Sequence, residues 1–278
     1  MKRILALLLC LTMVMGLFSG CDVESDEPHV PTGDALVMEG QDPDSVGPQK
    51  EEKPQEFSLA YYPNRGMNPL TCNEYTNRVL FSLIYQNLFN VKADYTTEPI
   101  LCSSYRVSAN YRTWVFFVDE KATFSDGTPL TVEDVLATYQ AAQANGYYKG
   151  RFTHVNNISA SSQGGITFSL NTAYSNLPLL LDIPIVKKGE TESTFPLGTG
   201  PYVFAEEPDG FALRRNANWW TQKEIPVRAE TIPLVEATTD AQVRDAFEFG
   251  DVGLVCTNPL LGSYADYRCD FEMWEVDN

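Results

Sequence analysis

Between Phe124 and Ala142 the chain reads FSDGTPLTVEDVLATYQAA, and Asp126, Glu133 and Asp134 fall within nine residues. Three carboxylates so close could hold a divalent cation through oxygen ligands, or divide acid and base roles. No histidine or activated nucleophile lies near them in sequence. The elements around them explain each acid instead. Asp126-Gly127 has the composition of a turn, and Pro129 keeps Thr128 extended. Thr131 is placed to cap the amide of Asp134 while the Asp134 carboxylate reaches back to the Thr131 amide, a variant of the capping box; Leu130 can staple onto Val135. Glu133 and Asp134 then occupy a first helical turn, where the dipole favours negative charge, and Val132, Val135, Leu136 and Tyr139 form one apolar face. The three acids are read as structural.

Other chemistry is sparse. The only histidines are His29 and His154, there is no CxxC spacing, and none of GxSxG, HExxH or a Cys-His context occurs. Zinc, a cofactor and hydrolysis are therefore not expected. Of six cysteines, Cys10 lies in the N-terminal apolar run and Cys21 at its end, leaving Cys72, Cys102, Cys256 and Cys269 in the body. In an exported protein the local pairs Cys72–Cys102 and Cys256–Cys269 are the simplest disulfides, with free thiols as the alternative. A net charge of −17 argues against a nucleic-acid partner.

Lys2 and Arg3 precede a largely apolar run, Ile4 to Phe18, too short for a comfortable membrane span and typical of a secretory signal. Its end, LFSGC, resembles the lipobox of bacterial lipoproteins, with Phe18 where leucine is usual. That resemblance implies cleavage before Cys21 and lipid on Cys21. Residues 22–56 carry eleven Asp or Glu against Lys50 and Lys53. Such a stretch buries too little to offset its ordering entropy and is read as a disordered acidic tether, with the folded body starting near Phe57.

The body patterns as mixed α/β. Strands are expected at 58–62, at 113–119 (apolar on both faces, as if covered on each side), at 166–170 and at 251–255. A hairpin is expected from 202–205 and 211–215, and helices over about 73–89, from 131 onward and over 240–249, with Gly250 as the C-terminal cap. Trp219 and Trp220 are read as packing residues rather than a stacking platform, and His154 as a structural or surface residue rather than a ligand.

The FSDGTPLTVEDVLATY stretch also resembles a turn-and-helix motif of the bacterial extracellular solute-binding proteins of the oligopeptide- and dipeptide-binding class (family 5), which serve ABC importers. Five further blocks agree in order: Asn68-Pro69 with LIYQNLF (83–89), residues 97–124, GTGPYVF (198–204), LRRNANWW (213–220) and AFEFGDVGLV (246–255). The resemblance implies a periplasmic-binding-protein-like lobe, a mixed sheet with flanking helices. Residues 57–68 and 190–258 would form a first-domain core, 69–189 an inserted subdomain, and 259–278 the start of a truncated second lobe. Family members run to about twice this length, so the second lobe is expected to be missing.

What the resemblance implies for function is a membrane-anchored, non-catalytic, monomeric component that passes peptides or other small solutes to an ABC permease. The ligand-facing residues would be Asn64, Arg65, Met67 and Asn68 after the first strand, with Tyr147 or Tyr148 beyond the signature helix. The alternative is a truncated or repurposed surface lipoprotein acting as an interaction or scaffold module.

Overall fold

The computed structural model describes residues 57–256 and 267–272. The signal, the lipobox Cys21, the tether and most of 259–278 lie outside the described residues. Three sheets are present among the described residues. A mixed one runs in the order β1 (Leu59–Tyr61), β10 (Thr231–Glu236), β9 (Gly210–Arg215), β8 (Tyr202–Glu207), with β1 parallel to β10 and the other pairs antiparallel. An antiparallel sheet runs β4 (Cys102–Val107), β5 (Thr113–Val118), β7 (Ile166–Leu170), β6 (Val155–Ala160). Between them in sequence, β2 (Phe89–Val91) and β3 (Thr97–Pro99) form a small hairpin. The mixed sheet thus draws its strands from 59–61 and 202–236, while the intervening chain supplies the other two.

The helices start where the sequence signals said. Helix α2 (Val132–Ala144) opens on Thr131 with the reciprocal capping box to Asp134 in place. The second Asp134 oxygen accepts the Lys188 amide at 2.8 Å, so this acid also tacks down a distant segment. The Asp126 carboxylate accepts the Thr128 amide and hydroxyl, at 3.0 and 2.6 Å, and pairs with Lys187. Helix α3 (Asp240–Glu248) is capped by Thr239, and Gly250 takes φ +81° beyond its end.

Helix α1 (Tyr75–Ile84) is shorter than the 73–89 predicted. The carbonyls at and just beyond its end are claimed from outside: Gly200 donates to Ile84 O at 2.8 Å, and Gln86, Asn87 and Leu88 accept amides of Ile185, Leu101 and Ile100. A Cβ on Gly198 would come within 2.3 Å of the Ile84 carbonyl oxygen, which explains the GTGP block: only glycine lets that strand approach the helix end. Two other expectations are corrected. Residues 251–255 make a single parallel bridge, Leu254 to Leu59, rather than a strand. On β5 only one face is fully covered, by Trp114 and Phe116, while Val115 and Phe117 are half-buried.

The main core runs unbroken from the mixed sheet (Leu59, Tyr61, Leu213, Ile232) through α1 (Leu80, Phe81) to the second sheet and α2 (Phe116, Phe168, Tyr139). A smaller cluster, Ala60, Tyr62, Ala237, Val243 and Val252, lies under α3. At roughly 25 cal/mol per Å² of apolar area removed from water, these aromatic-rich clusters carry most of the stabilisation.

The local pairs Cys72–Cys102 and Cys256–Cys269 are not joined, and all four body cysteines are free thiols, the alternative that the sequence left open. Cys72 lies in the turn before α1 and its thiol donates to the carbonyls of Arg65 and Glu74; Cys102 begins β4 and donates to Ser104 O at 3.3 Å. Each thiol is therefore used locally in a different element, and burial pushes both up, Cys102 to about 11.

Candidate solute-binding site

In open α/β sheets ligands gather outside the carboxyl ends of parallel strands. Here β1 and β10 are parallel, so the loop that leaves β1 (62–74) and the turn into α3 (237–239) emerge on the same side. Asn77 fixes that loop. Fully buried, it accepts the Tyr62 amide and donates to the Tyr62 and Gly66 carbonyls, all at 2.8 Å.

The predicted residues separate on this frame. Asn64 is exposed. Arg65 lies over the Tyr62 ring at 4.2 Å and pairs with Glu74 at 2.8 Å and Asp240 at 3.3 Å; Asp240 also accepts the Tyr62 hydroxyl. Its charge is thereby committed to joining the loop, the start of α1 and the start of α3. Burial first, then the Asp240 hydrogen bond, push the Tyr62 phenol well above its usual range. Met67 is core. Asn68 is nearly buried: its amide donates to Thr191 O and Ser193 O at 2.9 and 2.6 Å, and its oxygen accepts the Leu70 amide. Met67 and Asn68 nonetheless form the floor of an open recess of about 230 Å³, completed by Gly66, Thr71, Glu192, Ser193 and Thr194. Its lining mixes apolar surface, including Met67, with the Thr71, Ser193 and Thr194 hydroxyls, Asn68 and the Glu192 carboxylate, so it offers a solute both apolar contact and hydrogen bonds.

Tyr147 sits elsewhere on the same loop's border. It is exposed, packs edge-on against the fully buried Tyr148 at 4.7 Å, and carries the Arg78 guanidinium 4.4 Å above its ring. Arg78 donates through Nη1 to the Tyr148 hydroxyl (3.1 Å) and Cys72 O (3.4 Å). Tyr148 in turn reaches Pro69 O at 3.4 Å, so this group braces the 66–72 loop through contacts separate from Arg65's pairings. Arg151 lies 5.1 Å from the Tyr148 ring and pairs with Asp182. Burial holds the Asp182 carboxyl above its usual value, only partly offset by Arg151 and Arg78.

Arg78 was not singled out from sequence, though a signal existed. It is a cation in the first turn of α1, where the helix dipole disfavours positive charge, within an otherwise apolar pattern. The two tryptophans are packed and the histidine is a surface residue: Trp219 is buried, Trp220 Nε1 donates to Gln86 at 2.8 Å, and the exposed His154 stacks on Tyr174. Among the described residues no group of three or more His, Cys, Asp or Glu is placed to hold a metal ion, and no helix is long and apolar enough to cross a membrane.

Residues 96–267 match the family described as bacterial extracellular solute-binding proteins, family 5 Middle. The nickel-binding periplasmic protein of Escherichia coli K12 is 28% identical over 230 residues, which is 75% of this chain and 42% of that protein. Two solved structures share the fold. One is the binding protein MoaA from A. tumefaciens R10 with mannopinic acid, at 20% identity and TM-score 0.59, covering 70% of this chain and 43% of that one. The other is the pheromone receptor PrgZ, described with its mode of peptide binding, at 16% identity and TM-score 0.58, covering 71% and 46%. The chain thus spans less than half the length of these relatives.

Proposed function

The chain belongs to the bacterial extracellular solute-binding proteins of family 5, and on that premise we propose that it is the capture component of an ABC importer for di- or oligopeptides. Proteins of this family bind small solutes outside the cytoplasm and are not enzymes. In this reading the signal is cleaved, Cys21 carries lipid, and the acidic stretch 22–56 holds a monomeric body away from the membrane. The proposed division is 57–68 with 190–258 as the first-domain core and 69–189 as the insertion. Solute would enter at the 62–74 loop. Met67, Asn68 and Tyr147 would line its path, Asn64 would stand at the rim, and Arg65 would hold the loop rather than touch solute. The observation that carries the reading is the family match, joined to the recess beside the loop at the parallel-strand ends.

A nickel-chelate reading is favoured by the 28% identical relative, the chelator bringing ligands that the described residues do not cluster. The test is thermal shift and calorimetry of the full chain with a di- to hexapeptide mixture, Ni(II) with L-histidine, and mannopinic acid. Peptide binding with Kd near 10 μM or tighter, about −7 kcal/mol, is expected. A response to the chelate or to mannopinic acid but not to peptides would replace the peptide reading. No response from a cooperatively folding chain would favour the scaffold alternative.

A further inference from the structure

Arg78 is a cation whose natural partner has been taken. Glu74 stands four residues before it, the favourable acid-to-base spacing and order on a helix. Yet Glu74 accepts the Thr76 amide as the α1 cap and pairs with Arg65. Among the described residues no carboxylate pairs with Arg78; its Nη1 is used by Tyr148 and Cys72, while its Nε and Nη2 donate to no group. That leaves one complete edge of the guanidinium fork open, with its carbon seated 4.4 Å over the Tyr147 ring. A planar two-donor edge matches a carboxylate.

The surroundings agree. Around Tyr148 the half-buried charges are Arg78, Arg151 and Asp182, with Lys149 exposed beside them. Arg151 neutralises Asp182, so the cluster keeps a positive excess in a chain of net charge −17. Such a local reversal of sign focuses anions.

We propose that Arg78, seated on Tyr147, receives a carboxylate of the captured solute, so that the solute class is small molecules or peptides with a free carboxylate. This rests on the solute-binding reading and narrows it. It also assigns Arg65 an indirect role: by holding Glu74 it keeps that carboxylate off Arg78. The shared chemistry is the carboxylate, whether from a peptide C-terminus or from an organic acid.

The test uses the full chain and the Arg78 Nε–H resonance, assigned by its loss in Arg78→Lys. Probes are acetate against acetamide, and trialanine against trialanine amide. The acids should move the resonance and the amides should not. Arg78→Gln should weaken trialanine about ten- to hundredfold with its melting transition retained. Arg65→Met should also weaken it, by releasing Glu74, and adding Glu74→Gln should restore it. An Arg78 resonance indifferent to acetate, or equal binding of acid and amide, overturns the carboxylate site. Equal binding would leave solute capture standing. Failure of the double variant to recover overturns the indirect role of Arg65.

Discussion

Arg65 and Arg78 flank the same loop and are built alike, each guanidinium lying over a tyrosine ring, at 4.2 and 4.4 Å, yet they do different work. Arg65 carries two carboxylates and closes a network from the β1 exit to both helix starts. Arg78 carries none among the described residues and keeps a donor edge open. The aromatic seat is common to both. What separates them is which of two cations captures Glu74, and that is a matter of tertiary geometry. An arginine near a cleft is therefore not by itself a ligand residue; the accounting of its partners decides.

The comparison can be broken most severely at its shared support. Asn77→Ala would leave the Tyr62 amide and the Gly66 carbonyl without partners and the Tyr62 carbonyl with the Arg65 amide alone. At about 1 kcal/mol or more for each orphaned group, the loss should be about 2 kcal/mol. For a domain of this size that corresponds to a melting temperature lower by roughly 4–8 °C; an unchanged melt would mean the loop is held by something else. Next in size is Asp182→Ala, which removes the partner of Arg151. The pair is about a third exposed, so the cost should be about 1–2 kcal/mol after discounting for solvent. Chemical denaturation would measure it, and the carboxylate response of Arg78 should rise as the local positive charge grows.

Sharpening the contrast needs only a proton's worth of chemistry. Glu74→Gln with Asp240→Asn should convert Arg65 into an open cation at a stability cost of about 1 kcal/mol or less, because these are surface pairs. Acetate should then perturb the Arg65 resonance, which it leaves alone in the parent chain. If Arg65 stays silent, the difference between the two sites lies in geometry and not in pairing.

The smallest effect concerns pH. Burial raises the Asp126 carboxyl, but Lys187 and the Thr128 hydroxyl and amide outweigh it and hold it at about 2. Its folded value lies below its unfolded one, so its contribution is present above about pH 4 and is lost as pH falls toward 2. Asp182 is shifted the other way, so its protonation favours the folded state and offsets part of that loss. Asp126→Asn should flatten the acid limb of the stability curve, measured by denaturation at stepped pH, while Asp182→Asn should steepen it.

Much of the architecture was legible because local rules governed it. The Thr131 capping box, the hairpin between 202 and 215, the strand at 166–170 and the cap at Gly250 each follow from residues within a turn of one another. The 73–89 helix was overextended because nothing in its periodicity shows that Gly200, Ile185, Leu101 and Ile100 compete for the backbone after Ile84. Strand β10 went unread, since its parallel partner lies some 170 residues earlier, and residues 251–255 alternate like a strand but find only one bridge. For the site, loop 64–68 and Tyr147 could be pointed to, yet Asn68 proves to be a tie to residues 191–193 and Arg65 a clamp.

The sequence by itself determined the family, the three helices, the strands at β1, β5 and β7 with the β8–β9 hairpin, and the structural role of the acids at 126–134. These depend on short-range patterns of caps, turns and apolar spacing. Only the tertiary structure decided that the cysteines stay as free thiols, that Arg65 is spoken for and that Arg78 is not. Thiol pairing and charge compensation depend on distances between groups far apart in the chain, and a packed fold alone sets those.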